Sequence, residues 1–389
     1  MADPKLKLGN DIWATKQKSL LAYNDEGGNY KSLPFQVDRI SGGTYVGRNG
    51  LIQSAASNEP RVDFTSNTKG GLLLEPQRTN YALNSNDASQ WANVGGSQSI
   101  TKTANYSIAP DGTQTAARLQ ASASGSGYSL ISLSTTSFVG NYSLSVYLKS
   151  NTGNIQNVVV YGRNTSVDAY AIGNDWQRID LQGSGTSGQN LYLFLGSFPN
   201  NGSDNTIDVS VWGGQLEAGT YSTSIIPTSS AAVTRVQDEV ANGGNEFIFN
   251  DSEGVVFMDV EIPENSSEVK QSALCNGTTN EAVKILQLNS TTFRFEVVMS
   301  SGTNFSQDIT VNPYQRNKFA LQYKSNEYKV FVNGIKQTVT QRSTLPSGLD
   351  VFNFNRGFST SDNFSGLINA LKVFNTSLSD SELATLTTL

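Results

Sequence analysis

The stretch Tyr142-Ser143-Leu144-Ser145-Val146-Tyr147-Leu148 decides the fold class. Tyr142, Leu144, Val146 and Leu148 fall on one side of an extended chain, and Ser143, Ser145 and Tyr147 on the other. A strand shows this period of two when one face packs on a core and the other is wetter. Working outward, similar strand-like pieces recur at 128–133, 155–161, 176–181, 191–195 and 207–212. Gly, Asn and Ser separate them, residues that tolerate positive φ or hydrogen-bond the backbone of a turn. The pattern predicts a sandwich or jelly roll over 83–233.

A second all-β domain is predicted over 234–389, with strands at 254–262, 283–288, 292–299, 318–323 and 328–332. Lys324-Ser325-Asn326-Glu327 joins the last two, and Asn333-Gly334 is a strong hairpin signal. Ser379 and Glu382 have the spacing of a capping box, which predicts one short final helix. A linker is expected near 228–244, where Asn242-Gly243-Gly244 interrupts the strand pattern.

Residues 1–82 read as a separate, short β-rich region. Lys5-Leu6-Lys7-Leu8 alternates like a strand, and Ile12, Trp13, Leu20 and Leu21 fit one face of a short helix. Asp25-Glu26-Gly27-Gly28-Asn29 reads as a turn, and Leu72-Leu73-Leu74 as a buried strand. Arg61, Asp63, Glu75 and Arg78 are expected to form interlocking ion pairs that fix this segment on the next domain.

The composition narrows the function. The 389 residues carry a net charge of −6, only 15% are charged and 10% are aromatic. That is unlike disorder, which is usually charge-rich and aromatic-poor. No basic stripe offers a nucleic-acid footprint. No apolar run approaches the ~20 residues needed to cross a bilayer, and residues 1–9 are not followed by the apolar segment of a secretory signal. One cysteine, Cys275, fits synthesis in a reducing cytoplasm. The absence of histidine removes Ser-His-Asp and Cys-His catalysis and His-ligated zinc.

Two blocks remain: Pro60-Arg61-Val62-Asp63-Phe64 with 70–80, and 211–221 with Thr223-Ser224-Ile225-Ile226-Pro227-Thr228. Together they resemble the frame of a bacteriophage structural-protein family, over residues 35–235, in which a carbohydrate-binding-like module sits between the blocks. The hairpin at 328–334 and the closing run 365–383 resemble a laminin-G/concanavalin-like jelly roll. The resemblance implies a virion appendage, such as a fibre, spike or capsid-decorating protein, made in the host cytoplasm. It implies adhesion to bacterial-surface or environmental polysaccharide, attachment to other virion proteins through the N-terminal region, and a homo-oligomer such as a trimer. A purely structural head-decoration or tail-assembly role is the alternative.

Glycan binding needs rings for sugar faces and polar groups for hydroxyls. Trp91, Trp176 and Trp212 lie in the middle domain, but each is expected to serve packing. Tyr161 and Tyr170 flank the polar loop 162–168, which offers Arg163, Asn164 and Asp168 beside aromatic rings. These five residues are the candidate glycan site. No cofactor is expected, though a structural calcium is open, with oxygen-rich stretches at Asn84, Asn86 and Asp87 and at Asp204 and Asp208. Asp208 and Glu217 read as solvated or turn residues. Glycan cleavage would need two suitably placed carboxylates. The cluster Asp259-Val260-Glu261-Ile262-Pro263-Glu264 has the wrong spacing and reads instead as an edge strand with solvated acids. The chain is therefore expected not to be an enzyme.

Overall fold

The computed structural model describes residues 1–16, 18–24, 31–135, 139–188, 190–263, 270–355 and 362–389. The expected turn at 25–29 and Glu264 lie outside them. The chain is all-β apart from one helix and two short 3₁₀ turns among the described residues. Eight of the eleven described non-glycine residues at positive φ are asparagine, so the asparagine-rich composition is turn chemistry.

The chain forms two compact units: Met1–Gly50, Ser54–Pro76 and Val236–Leu389 in one, Leu51–Gln53 and Gln77–Arg235 in the other. The boundaries read from the sequence, at 82/83 and 233/234, differ from these. Strand Leu6–Gly9 pairs with Gly366–Phe374, with Leu6 opposite Val373. Gly71–Leu74 pairs with the same strand, Leu72 opposite Ile368. Ladders between such distant segments leave no trace in local periodicity, so residues 1–82 read as a separate region although strands within 6–38 and 62–74 join the C-terminal sheet.

In the 236–389 unit a large sheet and a five-stranded sheet enclose one core. Val256, Met258, Leu321 and Leu371 of the large sheet meet Leu274, Ile285, Phe293 and Phe295 of the smaller one. The other face of the large sheet buries Val255, Phe257 and Phe331 beneath Leu383 and Leu386 of the helix Asp380–Thr387. That helix starts at the expected capping box, Ser379 and Glu382. Asn333 and Gly334 both take positive φ and turn Lys329–Val332 back onto Ile335–Lys336, as the Asn-Gly pair requires. The predicted helix around residues 12–21 is instead the hairpin of strands Ala14–Lys16 and Ser19–Asn24, turned through Lys18 at φ 64°.

The inserted 77–235 unit is a sandwich of two five-stranded antiparallel sheets. The front sheet runs Ala92–Asn93, Ser129–Thr135, Leu191–Ser197, Gln156–Gly162, Asp168–Ile172. The back sheet runs Ser99–Ser107, Ala116–Ser122, Thr206–Ala218, Gly140–Ser150, Gln177–Gly185. Tyr142, Leu144, Val146 and Leu148 of the back sheet face Val158, Val160, Leu191, Leu193 and Leu195 of the front, as the alternation predicts.

The two sequence blocks turn out to be polar closures. Arg39 and Arg61 share Asp238: Arg39 Nη1 donates to Oδ1 at 2.7 Å and Arg61 Nη2 to Oδ2. Arg61 Nη1 also donates to Glu75 Oε2 at 2.5 Å, and the Glu75 N–H to Asp238 Oδ2 at 2.9 Å. All four side chains are buried. Burial opposes the Arg61 charge, but Asp238 and Glu75 outweigh it and hold its pKa above the ordinary value. Asp63 and Arg78, expected in this network, do other work. Asp63 accepts the N–H groups of Val46 and Thr65 at 2.7 and 2.8 Å. Arg78 lies 5.3 Å over the Tyr221 ring.

In the other unit, buried Asn80 accepts from the N–H groups of Ala82 and Leu216, both at 3.0 Å, and donates to the Ile226 carbonyl at 2.8 Å. Gln215 accepts from the Ile226 N–H at 2.6 Å, and Glu217 from the Thr223 N–H at 2.9 Å. These bonds lash residues 223–226 across the back sheet. Glu217 is buried, not solvated, because its carboxylate serves the closure; burial raises its pKa, while Arg235 and Thr223 oppose the rise.

Candidate functional site

The front sheet's alternation sets the site. Val158 and Val160 point into the core, so Tyr161 points outward, and Leu191, Leu193 and Leu195 likewise leave Tyr192 and Phe194 on the outer face. Tyr161 stands opposite Phe194 in the ladder. Their rings stack with centroids 4.7 Å apart and planes 23° from parallel. Phe194 stacks in turn on Tyr192 at 5.2 Å and 21°. The result is a row of three half-buried rings on the face turned away from the core. Offset stacking of this kind stabilises each pair by about 0.5–1.5 kcal/mol beyond area burial, which makes the row rigid.

Arg163 closes the row. Its guanidinium carbon lies 5.7 Å from the Tyr192 ring centroid, within cation–π range. Its backbone is pinned from several sides. The Gly162 N–H donates to Thr165 Oγ1 at 2.8 Å, and Asn164, at φ 61°, donates from Nδ2 to the Ser184 carbonyl at 2.9 Å. The Tyr142 hydroxyl donates to the Arg163 carbonyl. Gly162 itself faces the core: a Cβ there would meet Leu144 Cδ1 at 2.3 Å. Burial pushes the Tyr142 phenol up to about 12, with Arg163 opposing, and raises Tyr161 too, with Tyr128 adding to the effect.

Of the five candidate residues, the structure brings Tyr161 and Arg163 onto this row. Asn164 is exposed, and its Nδ2 donates to the Ser184 carbonyl of the back sheet. Asp168 is exposed and accepts a hydrogen bond from Ser166 Oγ. Tyr170 stands opposite Val158 and packs against the core cluster, so it lies on the opposite side of the sheet from Tyr161. Residues 168–172 form a strand paired with Gln156–Gly162 rather than the end of a loop, so two tyrosines that flank 162–168 in sequence lie on different faces. Tyr192 and Phe194 join the site from outside the five candidates, and the alternation at 191–195 is the signal in the sequence that places both rings outward.

Other candidates resolve into structure. Trp91 and Trp212 are buried, as expected, and donate to the Asn84 carbonyl and to Thr115 Oγ1, each at 3.1 Å. Trp176 is only half-buried, with Lys149 Nζ 5.3 Å over its ring. Asp259 sits in a central strand, Glu253–Glu261, paired on both sides, which corrects the reading of an edge strand with solvated acids. Arg316 grips Asp259 through two bonds of 2.8 and 2.6 Å. Asp208 accepts from Arg118 and Asn151, which hold its pKa below the ordinary value, and Asp204 accepts from the Asn157 N–H at 3.0 Å. Asp87 accepts from Ser89. Among the described residues no group of three or more His, Cys, Asp or Glu side chains is placed to hold a metal ion.

No family model and no curated protein matches the sequence. Solved structures similar to part of the chain include the CBM40 module of the Ruminococcus gnavus IT-sialidase bound to α2,3-sialyllactose. It is 16% identical with a TM-score of 0.32, over 38% of this chain and 94% of that one. Domain 4 of AbnA, a GH43 extracellular arabinanase from Geobacillus stearothermophilus, in complex with arabinotriose, is 14% identical with a TM-score of 0.32. That match covers 41% of this chain and 77% of the domain. The tandem CBM22 modules of Paenibacillus barcinonensis Xyn10C are 12% identical with a TM-score of 0.26, over 78% and 97%. Likenesses this weak assign neither a family nor a function.

Proposed function

We propose that the chain is a non-catalytic glycan-binding protein whose site is the outer face of the front sheet. The observation that carries this reading is the row Tyr161–Phe194–Tyr192. These three rings lie on the face turned away from the core between the sheets, already stacked and therefore pre-organised. An apolar ridge flanked by a guanidinium and hydroxyls suits a sugar, which presents C–H patches beside hydroxyl groups. Following the resemblance of the two sequence blocks, the chain is a phage appendage that adheres to bacterial-surface or environmental polysaccharide. Multiple copies would raise the avidity of weak single sites through effective concentration.

The test is binding of fluorescently labelled full-length chain to a panel of bacterial strains. The expected result is saturable binding to some strains, competed by their extracted polysaccharide and lost when Tyr161→Ala and Tyr192→Ala are combined. Binding to no strain, even with the chain displayed on beads, would leave a virion-building role as the better account.

A further inference from the structure

We infer that the aromatic row selects glycans that carry a carboxylate, and that Arg163 is the residue that reads it. The inference rests on the row being a sugar platform and adds the chemical class of its ligand.

Arg163 differs from every other described arginine. Each of the others donates to at least one protein acceptor. Arg118, Arg294 and Arg316 each grip an aspartate through two nitrogens. Among the described residues the Arg163 guanidinium has no ion pair and no hydrogen bond, and it rests against the Tyr192 ring. The residues of this unit outside the described set, 136–138 and 189, include no carboxylate. The nearest acid along the chain, Asp168, is engaged with Ser166.

A guanidinium presents five N–H donors in a fork that matches a carboxylate bidentately. The cation–π contact with Tyr192 and the pinned Arg163 backbone direct that fork toward the row. A solvent-exposed lysine would give only a mobile point charge. The anchoring of Asn164 to Ser184 and of Tyr142 to the Arg163 carbonyl therefore acts on ligand choice through the arginine. The overall charge of −6 disfavours diffuse attraction to a polyanion, so retention of an acidic polymer reports a local site.

The experiment is affinity electrophoresis of the full chain through gels containing polygalacturonate, alginate, hyaluronan or polysialic acid, each paired with its carboxyl-reduced form. At least one acidic polymer is expected to retard the chain, with its reduced form about tenfold or more weaker, the loss of one charged hydrogen-bonded pair. Arg163→Gln should abolish that difference, Arg163→Lys should keep part of it, and Arg48→Gln, in the other unit, should leave it unchanged. Unaltered tryptophan fluorescence melts would show that the variants are folded. Equal retardation by acidic and reduced polymers would overturn the selectivity and leave glycan binding standing. Wild-type retardation of Arg163→Gln would overturn the role of Arg163. Retardation by no polymer of either kind would overturn both this inference and the glycan reading beneath it.

Discussion

Replacing Asn80 by alanine would remove the side chain that closes the 77–235 unit. Asn80 is fully buried and makes four bonds. It accepts from Ala82 N–H and Leu216 N–H at 3.0 Å each, and donates to the carbonyls of Ile226 at 2.8 Å and Gly214 at 3.3 Å. Alanine would leave backbone groups of three separate segments without these partners and out of reach of bulk water. Each buried group left unsatisfied costs about 1–3 kcal/mol. The losses share one site and are not additive, so the total should be about 3–5 kcal/mol. For domains of about 150–250 residues each kcal/mol lowers Tm by roughly 2–4 °C, which gives a fall of roughly 6–20 °C. Tryptophan fluorescence is the assay, because Trp91, Trp176 and Trp212 lie in this unit and only Trp13 lies outside it. The 77–235 transition should move while calorimetry shows the other unit melting as before. A fall of less than about 2 °C would refute the closure argument.

Further outcomes follow from the same geometry. Because burial raises the Glu217 pKa, its contribution to stability is fully present below the unfolded carboxylate value and lost as pH rises through the raised folded value. Urea melts from pH 4 to pH 8 should show that loss in the wild type and not in Glu217→Gln; a parallel loss in both would count against it. Asp238→Ala strands the buried Arg39 and Arg61 and should destabilise the 236–389 unit by about 3–5 kcal/mol, read by calorimetry. Gly214→Ala puts a Cβ 2.5 Å from the Trp91 ring, and overpacking there should cost about 1–3 kcal/mol with a shift in tryptophan emission. Ser379→Ala should lose the capping box, about 0.5–2 kcal/mol of helix stability, seen as faster amide exchange over residues 380–387.

Much of the fold was legible because it is locally encoded. The alternation at 142–148, the Asn333-Gly334 turn and the Ser379/Glu382 box each need fewer than ten neighbouring residues, and each appears as read. The candidate site was half legible. Tyr161 and Arg163 lie on the ring row, but Tyr170 does not, because the polar stretch 162–168 hides the start of the strand Asp168–Ile172. Once that strand pairs with Gln156–Gly162, the register puts Tyr170 beside Val158 on the core side. Polar residues gave the least away: Glu217 and Asp259 look like surface acids in sequence and are buried partners of Thr223 and Arg316.

The amino-acid sequence by itself determined the all-β class, most strand positions, the turn residues and which side chains of each strand oppose one another. These follow from the pleat and from backbone sterics, which act over a few residues. The tertiary structure alone decided that strands within 6–38 and 62–74 join the C-terminal sheet, that Asp238 closes on Arg39, Arg61 and Glu75, and that Phe194 joins Tyr161 and Tyr192 in one row. Those outcomes depend on which distant strands pair. Pairing is chosen by burying all the apolar faces at once, while every buried charge and amide finds a partner.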